Sequence, residues 1–362
     1  MIAKDEAAVI TRALDSAKPL IDYVLVEDTG STDGTQDIVR DWLGRANLDG
    51  AVIDEPWQNF AYNRSHVLAA LRERKGITYG LIIDADDTLE IGGDPHSIKQ
   101  HLAADAYTMD IKHGSILHQR TQLCSNKKPF RYRGVVHEFL DCTGQQFTSA
   151  HLSDVAMVIV GGGARSRERG PETYRHDAEL LEQALIDGAE PDLNTRYMFY
   201  LAQSYRDGGM VEEAMRCYQA RADMTEGWNE EAYVALLNVA RLREQSGQPL
   251  RAILEPYKRA IALNPKRAEA YHGAAKACRL AEQYHEAYVW GQQGLRLALA
   301  KGLFIEPWIY RYGMLDEYAV SAYWAGHRLE SWLASHLLLR GGDLDETTRK
   351  RVETNARFAA QG

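Results

Sequence analysis

The stretch Tyr79-Gly80-Leu81-Ile82-Ile83-Asp84-Ala85-Asp86-Asp87 decides the architecture of this chain. A short apolar run of this kind reads as a buried strand. Its carboxyl end then carries Asp84, Asp86 and Asp87. Acids there build no core. They suit a hard divalent cation, which takes oxygen ligands from one or two carboxylates, from phosphates and from water. The carboxyl ends of strands are also where ligands sit in an open α/β sheet. Two carboxylates about 4 Å apart repel by roughly 1 kcal/mol in water and by more in a drier site. At least one of the three is therefore expected to have a raised pKa when no cation is bound.

Ahead of this stretch, helical and strand-like runs alternate. Ala7 to Lys18 reads as a helix, Tyr23-Val24-Leu25-Val26 as a short buried strand, and Thr35 to Leu43 as a helix with Ile38, Val39, Trp42 and Leu43 on one side. Ala51-Val52-Ile53 is the next strand and Asn63 to Arg74 the next helix. Strands separated by helices of this length imply right-handed crossovers and a mainly parallel sheet. Beyond Asp87, the segments Ala106 to Ile111, Ser115 to Leu123 and Val155 to Val160 look like strands, and a mixed sheet is expected.

From about Glu172 the chain is almost wholly helical, punctuated by short turns with Gly. An internal repeat is visible. Tyr200 to Tyr205, Gly208-Gly209 and Glu213-Ala214 recur as Leu236 to Arg241, Gly247 and Arg251-Ala252, which end in Asn264-Pro265. A third copy holds Tyr271 to Lys276 and Glu286-Ala287, and a degenerate fourth spans Tyr318 to Leu329 around Gly326. Ala214, Ala252 and Ala287 are spaced by 38 and 35 residues. That spacing, with small residues where paired helices cross, resembles tetratricopeptide repeats, which stack into a solenoid with a concave face. The aromatic residues of this half, such as Tyr233 and Tyr271, are read chiefly as packing between repeats. The expected domains are residues 1–165 and residues 166–362.

Composition excludes several classes. At 45% hydrophobic and 26% charged the chain reads as an ordinary soluble globular protein. No apolar run approaches the roughly 20 residues of a membrane span. Met1-Ile2-Ala3-Lys4-Asp5-Glu6 does not read as a signal peptide, because acid stands where an apolar segment should be. Cys124, Cys142, Cys217 and Cys278 show no CxxC spacing, which fits a reducing cytoplasm. The net charge of −9 disfavours a general affinity for nucleic acid.

Four segments carry a family resemblance. They are Val26-Glu27-Asp28-Thr29-Gly30-Ser31-Thr32-Asp33-Gly34-Thr35, Asn59-Phe60-Ala61-Tyr62-Asn63-Arg64, the acids Asp84 to Asp87, and Phe130-Arg131-Tyr132-Arg133-Gly134-Val135-Val136-His137-Glu138. In order and spacing they resemble family-2 glycosyltransferases of GT-A fold, in a bacterial branch whose transferase is followed by tetratricopeptide-like helices. The implied fold class is α/β plus all-α: a GT-A domain with a mixed, mainly parallel sheet, then a helical solenoid. The chain departs from the family in two places: only Met1-Ile2-Ala3 stands where a fuller apolar first strand is usual, so that strand is either shortened or begins ahead of the given sequence, and Asp5 stands where Asn is common.

The residues allow roles to be assigned. Asp28 ends a strand, so it faces the crevice and can accept from a nucleobase N–H or a ribose hydroxyl. Asp33 and Thr35 read as caps for the following helix. Arg64 can fork onto a diphosphate. By resemblance Asp84 faces the nucleotide, Asp86 is the main metal ligand, and Asp87 is an alternative ligand or a supporting acceptor. Glu6, Asn63 and Arg165 complete the candidate nucleotide-sugar contacts. Inverting sugar transfer needs a base that takes the proton of the attacking acceptor. Glu138 is one candidate, and His137 is either the base or a third metal ligand. Gly161-Gly162-Gly163, followed by Arg165, Arg167 and Arg169, reads either as a flap over the donor or as a linker.

The expected function is metal-dependent inverting sugar transfer from a nucleotide-sugar, with a UDP-sugar as the expected donor and Mn²⁺ or Mg²⁺ as the cofactor. The acceptor class stays open between peptide, protein and glycan, and a homodimer through the repeats is also open. Two alternatives are a helical scaffold with a degenerate transferase domain, and a transferase acting on modified nucleic-acid bases.

Overall fold

The computed structural model describes residues 1–114, 116–142, 144–163, 171–341 and 344–361. The chain divides into two compact units, Met1–Thr173 and Tyr174–Gly362. The expected boundary at residues 165 and 166, with Arg165, Arg167 and Arg169, lies outside the described residues.

The first unit opens with β1 (Ile2–Ala3), α1 (Ile10–Ala17), β2 (Tyr23–Asp28), α2 (Thr35–Ala46), β3 (Asp49–Asp54), α3 (Phe60–Arg72) and β4 (Tyr79–Leu81). It continues through β5 (Asp87–Ile91), α4 (Pro95–Gln100), β6 (Ala106–His113), β7 (Ile116–Ser125), β8 (Arg131–Arg133), β9 (Phe139–Asp141) and β10 (Ser149–Ile159). Strands β1, β2 and β3 pair in that order and in parallel, with Ile2 opposite Glu27 and Asp28 opposite Asp54. The remaining long strands form a mixed sheet in the order β4-β7-β6-β10-β5, in which only β6 and β10 run parallel. Parallel pairing holds across β1, β2 and β3, which α1 and α2 connect. It gives way where β6 turns straight into β7, because a tight turn can only join antiparallel neighbours.

Val24 and Val26 of β2 pack with Ile10 and Leu14 of α1 and with Val39 and Trp42 of α2 in one core cluster. Helix α3 starts where Asn59 Oδ1 accepts from Tyr62 N at 2.8 Å, and Asp94 caps α4 through Ser97 N. The start of α2 differs from expectation. Gly34, at φ 88°, takes the cap position, and Asp33 Oδ1 accepts from Thr35 N while Oδ2 accepts from Ala7 N. Asp33 therefore ties α2 to the loop after β1.

Two further differences bear on the site. The strand expected through Ile83 ends at Leu81, and the acids form a turn closed by Asp87 N donating to Asp84 O at 3.2 Å. Strand β5 begins at Asp87 itself. The β8–β9 hairpin was not apparent from the sequence, because three-residue strands are too short to show alternation.

The second unit begins within α5 (Pro171–Asp187) and continues through α6 (Asn194–Asp207), α7 (Val211–Asp223), α8 (Asn229–Gln245), α9 (Leu250–Leu263), α10 (Ala268–Leu280), α11 (Tyr284–Gly294), α12 (Met314–Trp324), α13 (Arg328–Arg340) and α14 (Glu346–Ala360). The three repeat copies are the hairpins α6–α7, α8–α9 and α10–α11, and the degenerate fourth is α12–α13. Ala214, Ala240, Ala274 and Ala287 are fully buried, as close helix crossings require. Tyr233 and Tyr271 are core residues, whereas Trp228 is half-exposed. Gly273 shows the tightness of the α9–α10 crossing, since a Cβ there would overlap the Tyr257 ring. Gly273→Ala is expected to lower stability by about 1–3 kcal/mol through overpacking, read from the urea midpoint. Among the described residues no helix is long and apolar enough to cross a membrane.

Candidate active site

Alternation along the acidic turn sorts its members. Ala85 and Asp87 are buried, while Asp84 and Asp86 are half-exposed. Asp84 Oδ1 accepts from Arg64 Nη2 at 2.5 Å, and Arg120 Nη2 stands 3.8 Å from Oδ2. Burial works against ionisation of Asp84, but the two guanidiniums outweigh it and hold the carboxyl below its usual range. At Asp87 the same two guanidiniums are outweighed. Burial, then the charges of Asp84 and Asp86, push it up to about 7. This is the late-ionising acid that the crowding argument requires.

Arg64 is 12% exposed and does fork, but onto two carboxylates of the chain itself. Its Nη1 donates to Glu138 Oε1 at 2.5 Å while Nη2 holds Asp84. Glu138 sits at the end of the β8–β9 loop, which bends through Gly134 at φ 99° and His137 at φ 53°. His137 is exposed. Among the described residues no three His, Cys, Asp or Glu side chains gather to hold a metal.

Asp28 lies at the end of β2 and is 1% exposed. Its Oδ1 accepts from Gly30 N at 3.0 Å, Ser31 N at 2.8 Å and Gln36 Nε2 at 3.0 Å. Burial alone would raise its pKa, but the donors Ser31 and Gln36 outweigh it and the pKa falls. Its Oδ2 is buried with no hydrogen-bond partner among the described residues. An orphaned carboxylate oxygen is costly, and a ligand donor would remove that cost.

Asn63 is fully buried. Its amide is spent on Glu27 Oε1 at 2.9 Å, on Pro56 O at 3.2 Å and on Gln58 N at 3.0 Å, which places it behind the crevice as an anchor for α3. The buried Glu27 also meets His66 Nδ1 at 2.7 Å. Glu6 N donates to Thr35 Oγ1 at 2.9 Å. Its Oε1 and Asp86 Oδ2 both lie within 3.0 Å of the place a Cβ on Gly163 would take.

Two residues of the site, Arg12 and Arg120, escaped the sequence reading, and a third, Gly163, was seen without its partner. Arg12 Nη2 donates to Asp86 O at 2.7 Å and to Gly161 O at 3.0 Å, joining α1 to the acidic turn. Arg120 faces Asp84 from β7. Gly163 N donates to Asp86 Oδ2 at 3.2 Å. The triple Gly was visible, but its partner could not be named, because no spacing links residue 163 to residue 86. A Cβ at Gly163 would lie 2.7 Å from Asp86 Oδ2. Gly163→Ala is expected to displace that carboxylate and lower turnover at least about tenfold, read by steady-state assay beside an unchanged circular dichroism spectrum.

The donor set fits a divalent cation. It consists of hard carboxylate oxygens, and the raised Asp87 marks a cluster short of positive charge. One or two carboxylates completed by substrate phosphates make no cluster of three protein ligands.

Residues 1–115, out of 362, match the family model described as Glycosyl transferase family 2. No curated protein matches the chain. Among solved structures, MamA protein is similar at 16% identity and a TM-score of 0.38, over 49% of this chain and 91% of that one. A tetratricopeptide repeat protein from Parabacteroides merdae is similar at 18% identity and a TM-score of 0.41, over 52% and 68%. A thermophilic TPR protein of Thermus thermophilus is similar at 18% identity and a TM-score of 0.33, over 51% and 91%. These likenesses are too loose to carry an argument, and the four hairpins are read from their own geometry.

Proposed function

We propose that the first unit is a metal-dependent, inverting glycosyltransferase that takes its sugar from a UDP-sugar. The observation that supports this best is the convergence of Asp84, Arg64 and Glu138 beside the crowded acid Asp87, within a unit whose first 115 residues match the glycosyl transferase model. Asp28 offers its orphaned oxygen to a nucleobase N–H or a ribose hydroxyl. Asp84 faces the nucleotide, and Asp86, with Asp87 behind it, is the place for Mn²⁺ or Mg²⁺. When bound, such an ion neutralises charge on the departing diphosphate. Arg64 exchanges its carboxylate partners for phosphate oxygens, which leaves Glu138 to accept the proton of the attacking acceptor on a carboxylate oxygen. His137, exposed on the same loop, orients the acceptor. The helical hairpins recruit that acceptor, a peptide, protein or glycan.

The test is a screen of nucleotide-sugars for hydrolysis with and without Mn²⁺, read by mass spectrometry. Hydrolysis of a UDP-sugar that depends on Mn²⁺ is the expected result. No turnover of any donor, together with no calorimetric UDP binding at millimolar Mn²⁺, would refute the proposal.

A further inference from the structure

Residues 295–306, between α11 and α12, hold neither helix nor strand. The corresponding connections are only residues 224–228 after α7 and residues 264–267 after α9. A connection this long without structure of its own is uncommon, and such segments usually carry a function. Its second half lies as a strap across α6, α8 and α10, the first helices of three successive hairpins. Alternate side chains meet one helix each. The Phe304 ring stacks on Phe199 of α6, with centroids 6.5 Å apart. Glu306 pairs with Arg241 of α8. Trp308 meets His272 of α10 edge-on, with centroids 5.1 Å apart. The main chain is gripped as well. Leu303 N donates to Glu230 Oε2 at 3.1 Å, Leu303 O accepts from Arg267 Nη1 at 2.9 Å, and Glu306 N donates to Glu269 Oε1 at 3.2 Å. The side chains of Arg267 and Glu269 are fully buried. Groups that hold a segment by its peptide bonds do not depend on the side chains it carries.

The strap is not a core element. Phe304 is 53% exposed and Trp308 39%, and the pair of Arg241 and Glu306 is partly open to solvent. Phe304 also sits at φ 49°, a left-handed backbone that bulky side chains rarely adopt. Strain of this kind persists only where the surroundings impose it. We propose that the face formed by α6, α8 and α10 is a peptide-binding surface on which residues 302–308 sit as a resident substitute, and that its partner is a polypeptide segment with an aromatic residue, an acid and an aromatic residue at alternate positions. Phe199 and His272 receive the two rings, Arg241 supplies the counter-charge of the acid, and Glu230, Arg267 and Glu269 hold the backbone. An attached segment competes at an effective concentration on the order of 1 mM, so a partner must fit better than the strap to displace it. A segment that reaches Phe199 without a left-handed residue fits better. This inference stands on the helical unit alone and does not depend on the enzyme reading.

The test titrates the full chain by calorimetry with the peptide Gly-Leu-Phe-Ile-Glu-Pro-Trp, a copy of residues 302–308. In the parent the strap competes with it. Phe304→Ser combined with Glu306→Gln removes the strap's hold on Phe199 and Arg241, so this double variant is expected to bind the peptide at least about tenfold more tightly than the parent. Adding Arg241→Gln is expected to abolish that gain, as is glutamine in place of the peptide's glutamate. A double variant that binds no better than the parent, or binding indifferent to Arg241→Gln, would overturn the proposal. So would self-association of the double variant without peptide, seen by light scattering, which would make a second copy the occupant. Amide exchange in the parent tests the same point without any substitution. Peptide at about 5 mM is expected to speed exchange at Leu303 and Glu306 at least about threefold, because the displaced strap gives up both bonds. Unaltered exchange at those amides would also overturn the proposal.

Discussion

Asp86→Ala is expected to lower turnover of a UDP-sugar at least about a thousandfold, because a metal clamp supplies several kcal/mol of charge stabilisation in the transition state and each 1.36 kcal/mol is a factor of ten. The fold should survive. Asp86 is partly exposed, and its side chain accepts a hydrogen bond from Gly163 N. The turn itself is held by the main chain, through Arg12 to Asp86 O and through Asp87 N to Asp84 O. The comparison that checks this is kcat/KM against the melting curve. Removing a charge from the crowded turn also relieves Asp87, so the variant should melt no lower than the parent. Full activity in Asp86→Ala would refute the assignment of the metal site.

Arg267→Met is expected to cost the helical unit about 3–5 kcal/mol, the usual penalty for removing one partner of a buried ion pair. The Arg267 side chain is fully buried, and its two neighbours on the acid side become the problem once it is gone. Its Nη1 donates to Glu230 Oε2 at 2.6 Å, and its Nε and Nη2 reach Glu269 at 3.1 Å each. Nη1 also holds Leu303 O at 2.9 Å, while Glu269 Oε1 accepts from Glu306 N at 3.2 Å and Oε2 from Tyr310 Oη at 3.0 Å. The network therefore pins the long connection between α11 and α12 onto α8 and α10. Urea titration followed by tryptophan fluorescence measures the loss. Adding Glu269→Gln should restore part of it, because the buried carboxylate is then no longer left without its counter-charge. A single variant with an unchanged midpoint would show that the network contributes nothing net.

The fold was legible wherever a periodic signal was long. The helices after β2 and β3, and the four helical hairpins, were visible because runs of ten or more residues show their apolar face in sequence. The acids of the site were visible because Asp84, Asp86 and Asp87 lie within four residues of one another. What escaped was set by pairing across large separations. Arg12 meets Asp86, Arg64 meets Glu138, and Gly163 meets Asp86, each through sheet register and helix placement, which local spacing does not encode. Asn63 shows the converse. It stands next to Arg64 in sequence, yet one turns into the interior and the other toward the acids, since adjacent helical positions point in different directions.

The acidic turn and the triple glycine are measured out against each other by one ladder. Asp87 opens β5 directly opposite Ile159, near the end of the β10 pairing, and four residues later Gly163 folds back to the carboxylate of Asp86. Chain length between Ile159 and Gly163 is thus a dimension of the proposed site, as much as any side chain in it. Deleting or inserting one residue there would carry the donor nitrogen off Asp86 by one step of the backbone, about 3.3 Å, even though every side chain of the site remained in place.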